Sequence, residues 1–180
     1  MTQPDRPSRI AIVTVSDRAS RGEYPDKGGP GAEDWLRATV TSPMQISRQI
    51  IPDGREIVAE TLRQLADTGT DLILITGGTG PAPRDLTPEA MADVMEKELP
   101  GFGEEMRRAS LREVPTAILS RQTAGIRGQT LMITIPGKPS AIATCLDAVF
   151  AAVPYCLDLI GAARIETDPA RIRAFRPAVK

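Results

Sequence analysis

The residues best suited to chemistry cluster in positions 72–89, LILITGGTGPAPRDLTPE, where an apolar run opens into Gly77, Gly78, Thr79 and Gly80 and then into Arg84 and Asp85. Glycine reaches positive φ and lets backbone N–H groups approach a ligand with no Cβ in the way. Thr76 and Thr79 add hydroxyl donors, and a guanidinium and a carboxylate follow within a few residues. That set suits an anionic group, phosphate above all. A tight strand-to-helix turn uses the same glycines; the adjoining Arg84 and Asp85 favour a site.

Asp85 and Asp53 are the candidate reactive carboxylates. Thr87, Pro88 and Glu89 read as an N-cap, a first-turn proline and a first-turn acid, which leaves Asp85 free for other work. Asp53 with Glu56 three residues later has capping-box spacing, the reading that spacing alone favours. Asp53 also follows a strand, so both carboxylates are expected at one sheet edge. A second strand-to-helix junction at Pro136, Gly137, Lys138 and Pro139 sets a lysine beside a helix N-terminus, where free N–H groups and the helix dipole attract anions. A surface turn with a solvated lysine would look the same. Ser120 and Arg121 end another strand and are either anion ligands or an exposed polar pair. Residues 16–31 form a long irregular loop containing Asp17, Arg18, Asp26 and Lys27, and a loop of that length in a compact domain is more often functional than idle.

Two familiar phosphate motifs are absent. A G-x-G-x-x-G fingerprint begun at Gly78 would end on Pro83, and a Walker A loop ending at Lys138 would need glycine at Met132 and Ser or Thr at Pro139. The chain has no histidine, which removes the commonest general base, the Ser-His and Cys-His pairs and most transition-metal sites. Chemistry is left to carboxylates, hydroxyls, Arg and Lys. Cys145 and Cys156 fall in an apolar helical pattern without Cys-x-x-Cys spacing and are expected as core thiols, with no sign of an oxidising compartment. Lys plus Arg total 22 against 23 Asp plus Glu, so no bulk positive field attracts nucleic acid or an anionic membrane, and anion binding must be local. With a polar start and no apolar run approaching membrane-spanning length, a soluble, cytoplasmic protein is expected.

These residues need elements to position them. Residues 10–15, 45–51, 72–75, 118–123 and 130–135 read as strands, the last two linked through residues 125–128. Helical spacing appears over 32–40, over 57–65, at Met91, Val94 and Met95 with a stop at Pro100-Gly101, over 103–111, and from Ile142 to Phe150 with a kink or end at Pro154. Alternating strands and helices, the strands mostly unbroken apolar runs, predict a three-layer α/β/α fold with a mostly parallel sheet covered on both faces. Ligands in such sheets sit outside the carboxyl ends of the strands, where the glycines after Ile75 fall. A chain of 180 residues, 41% hydrophobic and 25% charged, is large enough for one core, so 1–180 is expected as a single domain with loose tails at 1–7 and 168–180.

Six segments together resemble the Mog-type molybdopterin adenylyltransferases of molybdenum cofactor biosynthesis: TVSDRASRGEYPDKGGP (14–30), IPD (51–53), GGTGPAPRDLTPEA (77–90), PGFGEEMR (100–107), PTAILSRQTAGIR (115–127) and IPGKPSAI (135–142). The GGTG with its downstream Arg-Asp is shared by the wider superfamily, including molybdopterin-binding insertase domains. The first loop, PGFGEEMR and AILSRQ are more specific to the Mog type. The resemblance implies a molybdopterin-binding-domain fold and an enzyme that uses ATP to adenylylate the terminal phosphate of molybdopterin, releasing pyrophosphate. It also implies magnesium, a homotrimer and a molybdenum insertase as a possible partner. By similarity Asp53 and Asp85 are the essential acids, and Gly77, Gly78 and Gly80 line the pocket. Ser16, Asp17, Arg18, Ser110, Ser120 and Pro136 to Pro139 contribute, beside Thr76, Thr79 and Arg121. A phosphate monoester, with a second pKa near ~6, is mostly dianionic at neutral pH and attacks phosphorus without a protein base, so the missing histidine is no handicap. Magnesium keeps several waters and takes few carboxylate oxygens, which Asp53, Asp85 or both would supply. The alternative is a non-catalytic molybdopterin carrier module, for which positive groups rather than two acids would be expected opposite an anionic ligand.

Overall fold

A computed structural model describes residues 6–178. Strands β1 (Ser8–Val15), β2 (Met44–Ile51), β3 (Leu72–Thr76), β4 (Lys97–Glu98), β5 (Ala124–Arg127) and β6 (Thr130–Ile135) form one sheet in the order β2-β1-β3-β6-β5-β4. The first four in that order are parallel, and β5 and β4 add an antiparallel edge. Helices α1 (Asp17–Ser20), α2 (Gly28–Thr39), α3 (Arg55–Asp67), α4 (Thr87–Ala92), α5 (Pro100–Ser110), α6 (Pro139–Val149) and α7 (Val153–Ile160) complete the chain.

The three-layer arrangement follows from the strand sequences. Side chains alternate across a strand, so Ile10, Ile12, Leu72, Leu74, Leu131 and Ile133 pack on one face with Leu36, Ile142, Leu146 and Phe150. Ala11, Val13, Val15, Ile73, Ile75 and Met132 pack on the other with Val58, Leu62 and Met91. Both positions of each period are apolar because both faces are covered. Trp35 meets Phe150 edge-on at 4.8 Å, and its Nε1–H donates to Asp147 Oδ1 at 2.8 Å, fixing α2 against α6.

The register aligns the strand ends that matter. Val15 pairs with Ile51, Thr14 with Thr76, and Thr76 with Ile135, so the loops after β1, β2, β3 and β6 leave the sheet at one edge.

Several expected elements differ. Helix α4 ends at Ala92, residues 97–98 pair as a strand, and Pro100 opens α5 instead of stopping a helix; proline suits a first helical turn, whose N–H has no partner to lose. Residues 118–123 are not a strand. Pro115–Leu119 make a 3₁₀ turn with Ile118 and Leu119 exposed, and the strand lies at Ala124–Arg127, where Gly125 lets Met95 approach closely. Pro154 sits in the first turn of α7, after a 3₁₀ turn at Phe150–Ala152. The stretch Pro139–Ile160 is long and apolar enough to cross a membrane, contrary to expectation; it is interrupted by that 3₁₀ turn, and Ile142, Leu146, Val149, Phe150, Val153 and Leu157 lie in the core.

The expected loose tails are also corrected, for their described residues. Arg6 grips Asp71 with both terminal nitrogens at 2.7 and 2.8 Å. Asp168 N–H bonds the Thr39 carbonyl, Ile172 is buried, and Arg176 pairs with Asp158 and Glu166. Apolar Ile172 and a half-buried ion pair hold this segment; residues 1–5 and 179–180 lie outside the described residues.

Candidate functional site

Two clefts open at the aligned strand ends and share Gly137. The first, about 280 Å³, is lined by Ser16, Asp17, Arg18, Asp53, Thr76, Gly78, Asp85, Gly137 and Pro139 from the expected set. The second, about 410 Å³, takes Thr79, Gly80, Ser110, Ser120, Pro136, Gly137 and Lys138. Asp53 and Asp85 therefore face one space although 32 positions separate them in the chain. Thr14, Tyr24, Asp26, Lys27, Gly28 and Arg84 also line the first cleft, and Val114, Thr116, Ala117, Leu119 and Gln122 the second. The long loop after β1 signals Asp26 and Lys27; Thr14 and Gln122 fall within the family-like segments, and their residue types and spacing alone do not single them out.

The glycines shape the partition between the clefts. Gly77 has φ 100°, and a Cβ there would stand 2.3 Å from the Val15 carbonyl oxygen; Gly78 has φ 63°, with Thr87 Oγ1 at 2.3 Å from the same hypothetical atom. L-residues rarely adopt these angles, and the surrounding atoms are backbone or locked side chain. Gly77 therefore lies beneath the lining. The Thr87 hydroxyl donates to the Gly77 carbonyl at 2.9 Å and its N–H to the Gly78 carbonyl at 3.1 Å. Thr87 is thus a tether for the glycine turn and not the expected N-cap; Leu86 takes that position without a side-chain bond. The Thr76 hydroxyl donates to the Pro136 carbonyl at 2.9 Å, joining the ends of β3 and β6.

Arg121 does not face either cleft. Its Nε–H donates to the Gly80 carbonyl at 2.9 Å, and its terminal nitrogens bind the Asp85 carbonyl and the Glu89 carboxylate. The guanidinium is spent on the loop, so the expected anion ligand is a strap. Its hydrogen bond holds the Glu89 carboxyl below the usual carboxylate range.

The four acids of the first cleft differ in what they have left to offer. Asp26 is saturated: it accepts from the Thr14 hydroxyl at 2.9 Å and from the N–H groups of Gly28 and Gly29 at 2.9 and 3.1 Å. It anchors the start of α2. Asp53 is not a cap, since Gly54 occupies the N-cap of α3 with no side-chain bond. Asp53 Oδ2 accepts instead from the Asp17 N–H, and Asp17 Oδ1 from the Asp53 N–H. Asp85 Oδ2 accepts from the Ala82 N–H at 3.1 Å. Asp17, Asp53 and Asp85 each retain one oxygen that accepts nothing from the described residues.

No group of three or more His, Cys, Asp or Glu side chains able to hold a metal by themselves occurs among the described residues. Leftover single carboxylate oxygens beside cationic Arg18, Lys27 and Arg84 fit magnesium, which completes its shell with water and phosphate oxygens. They do not fit a metal that needs a full protein cage.

The second cleft is less charged. The Ser120 hydroxyl donates to Gln122 Oε1 at 2.7 Å, Gln122 Nε2–H to Cys145 Sγ at 3.3 Å, and Ser110 Oγ lies 3.6 Å from that sulfur. Burial pushes the Cys145 thiol up, against its bonds with Gln122 and Ser110, and favours the neutral form of a buried sulfur that lies behind the lining. Burial likewise pushes half-buried Cys156 up to about 11. The arrangement suits holding two molecules side by side and aligning them, with a charged group in the acid-lined cleft.

Residues 11–155 match the family model described as "Probable molybdopterin binding domain". The chain is 47% identical over 182 residues to the Escherichia coli K12 protein named molybdopterin adenylyltransferase, covering 94% of this chain and 93% of that one. Among solved structures, the molybdopterin biosynthesis Mog protein of Mycobacterium ulcerans superposes with a TM-score of 0.80 at 34% identity, over 87% of this chain and 98% of that one. The molybdopterin biosynthesis enzyme MoaB of Thermus thermophilus superposes with a TM-score of 0.78 at 40% identity, over 86% and 96%.

Proposed function

We propose the reaction from one premise: the chain belongs to the molybdopterin-binding-domain family, in which its relatives at near-half identity are molybdopterin adenylyltransferases. The protein is a nucleotidyltransferase that adenylylates molybdopterin. ATP is the donor: an oxygen of the terminal phosphate of molybdopterin attacks the α-phosphorus, the bond from that phosphorus to the β-phosphate bridging oxygen breaks, and pyrophosphate leaves. The observation that carries this reading is the meeting of two clefts at Gly137, one presenting Asp53 and Asp85 and the other hydroxyls and Lys138.

The protein's work is alignment and charge neutralisation. Arg18, Lys27 and Arg84 set positive charge along the first cleft, and the hydroxyls of Ser110 and Ser120 with the Lys138 ammonium provide polar contacts in the second. No protein base is needed, because the attacking monoester is already largely ionised at neutral pH. Asp53 and Asp85, through their uncommitted oxygens, would hold magnesium, which neutralises phosphate charge when bound. We extend the family reading to a cytoplasmic reaction and to a homotrimer that passes its product to a molybdenum insertase.

The test is pyrophosphate release by the purified protein with molybdopterin, ATP and magnesium. Release that requires all three supports the reading; tight molybdopterin binding without turnover would make the protein a carrier.

A further inference from the structure

Asp17 and Asp53 hold each other by the backbone. The Asp17 N–H donates to Asp53 Oδ2 at 2.8 Å and the Asp53 N–H donates to Asp17 Oδ1 at 3.0 Å. The pair continues the β1–β2 ladder past its last register pair, Val15 with Ile51, through the bond from the Ser16 N–H to the Ile51 carbonyl at 2.9 Å. Bonds from an N–H to a carboxylate are charge-assisted and directional, so each fixes the rotamer of the acid that accepts it.

The local chain gives Asp53 little other support. It stands between Pro52 and Gly54, and Gly54 adopts φ 146° at the start of α3 with no side-chain cap. Backbone at such a glycine has many accessible conformations. Asp17 is better held, because it opens α1 behind Ser16, whose Oγ accepts the Ala19 N–H at 3.2 Å.

We infer that Asp17 is the positioning residue for Asp53: its carboxylate holds the loop after β2 so that the free oxygen of Asp53 stays in the cleft, and its effect on the reaction runs through Asp53. The catalytic consequence rests on the adenylyl-transfer reading, whereas the contact itself does not.

Asparagine separates this role from that of a substrate or ion ligand. In Asp17→Asn the amide oxygen still accepts the Asp53 N–H, but the charge is gone; in Asp17→Ala the acceptor is lost as well. The experiment measures kcat and KM for pyrophosphate release in both variants, together with hydrogen exchange at the Asp53 amide and thermal unfolding. Asp17→Ala is expected to lose about 100-fold in kcat, the scale of a small misplacement at a reacting centre, with KM for ATP little changed. Its Asp53 amide exchanges faster, while Asp17→Asn keeps most of kcat and the slow exchange. Three results overturn the inference: full activity in Asp17→Ala, an Asp17→Asn variant as slow as Asp17→Ala, or Asp53 exchange that Asp17→Ala leaves unaltered. If the unaltered protein releases no pyrophosphate, the proposed reaction falls, and the exchange measurement still decides whether Asp17 holds Asp53.

Discussion

Asp85 and Asp53 look alike in the sequence, two acids each following an apolar run, yet they are held differently. Asp85 accepts one backbone N–H through Oδ2, from Ala82. An asparagine accepts the same bond, so Asp85→Asn is expected to abolish pyrophosphate release while its melting temperature stays close to that of the parent; full activity would remove Asp85 from the mechanism. That both acids reach one edge was legible, because each follows a strand. The capping role expected of Asp53 was not borne out, since spacing of three residues is equally met by a loop whose acid binds another loop. No local pattern announces a partner 36 positions away. Arg121 differs from expectation for a similar reason: a guanidinium after an apolar run looks the same whether it faces a ligand or three acceptors of its own protein.

At the scale of elements, the glycine turn after β3 is the most constrained piece. Gly77→Ala would combine positive φ with a Cβ driven into the Val15 carbonyl, at a cost of about 3 kcal/mol. For a chain of this size that lowers the thermal midpoint by roughly 6–12 °C, measurable by calorimetry; an unchanged midpoint would show that the turn relaxes freely. The Arg121 strap over the same turn predicts a pH dependence. Its hydrogen bond lowers the Glu89 carboxyl in the folded state, so the pair stabilises in full above the unfolded value, near pH ~4.3. That contribution disappears as the pH falls through the folded value. Urea titrations should therefore find Glu89→Gln less stable than the parent at neutral pH, with the difference closing as the pH falls through the lowered folded value. The central strands and long helices were legible from their periodicity. The residues 118–123 were not, because apolar Ile118 and Leu119 mimic a strand although they lie exposed on a 3₁₀ turn.

For the whole molecule, the three layers follow from apolar residues at both positions of the strand period, whereas the closure of the far edge depends on one buried acid. Asp71, 2% exposed, accepts the Arg6 fork, the Arg9 N–H at 2.8 Å and the Ala163 N–H at 2.9 Å. It thus ties the start of β3 to Arg6 and to the segment that follows α7. Asp71→Ala would leave two backbone donors without acceptors and is expected to cost about 2–4 kcal/mol, with KM unchanged in the remaining folded protein; chemical denaturation with a parallel assay checks both. Loose tails were expected because polar, proline-bearing ends read as linkers, and the grip of a single distant carboxylate carries no periodicity to detect.

The same clasp has a practical corollary. Asp71 precedes the first residue of β3, while the reactive residues follow its last, and Arg6 is fastened on the Asp71 side. A resin or a tag whose linker enters the fold through Arg6 is therefore expected to approach from the side opposite the cleft, leaving the cleft open to incoming reactants.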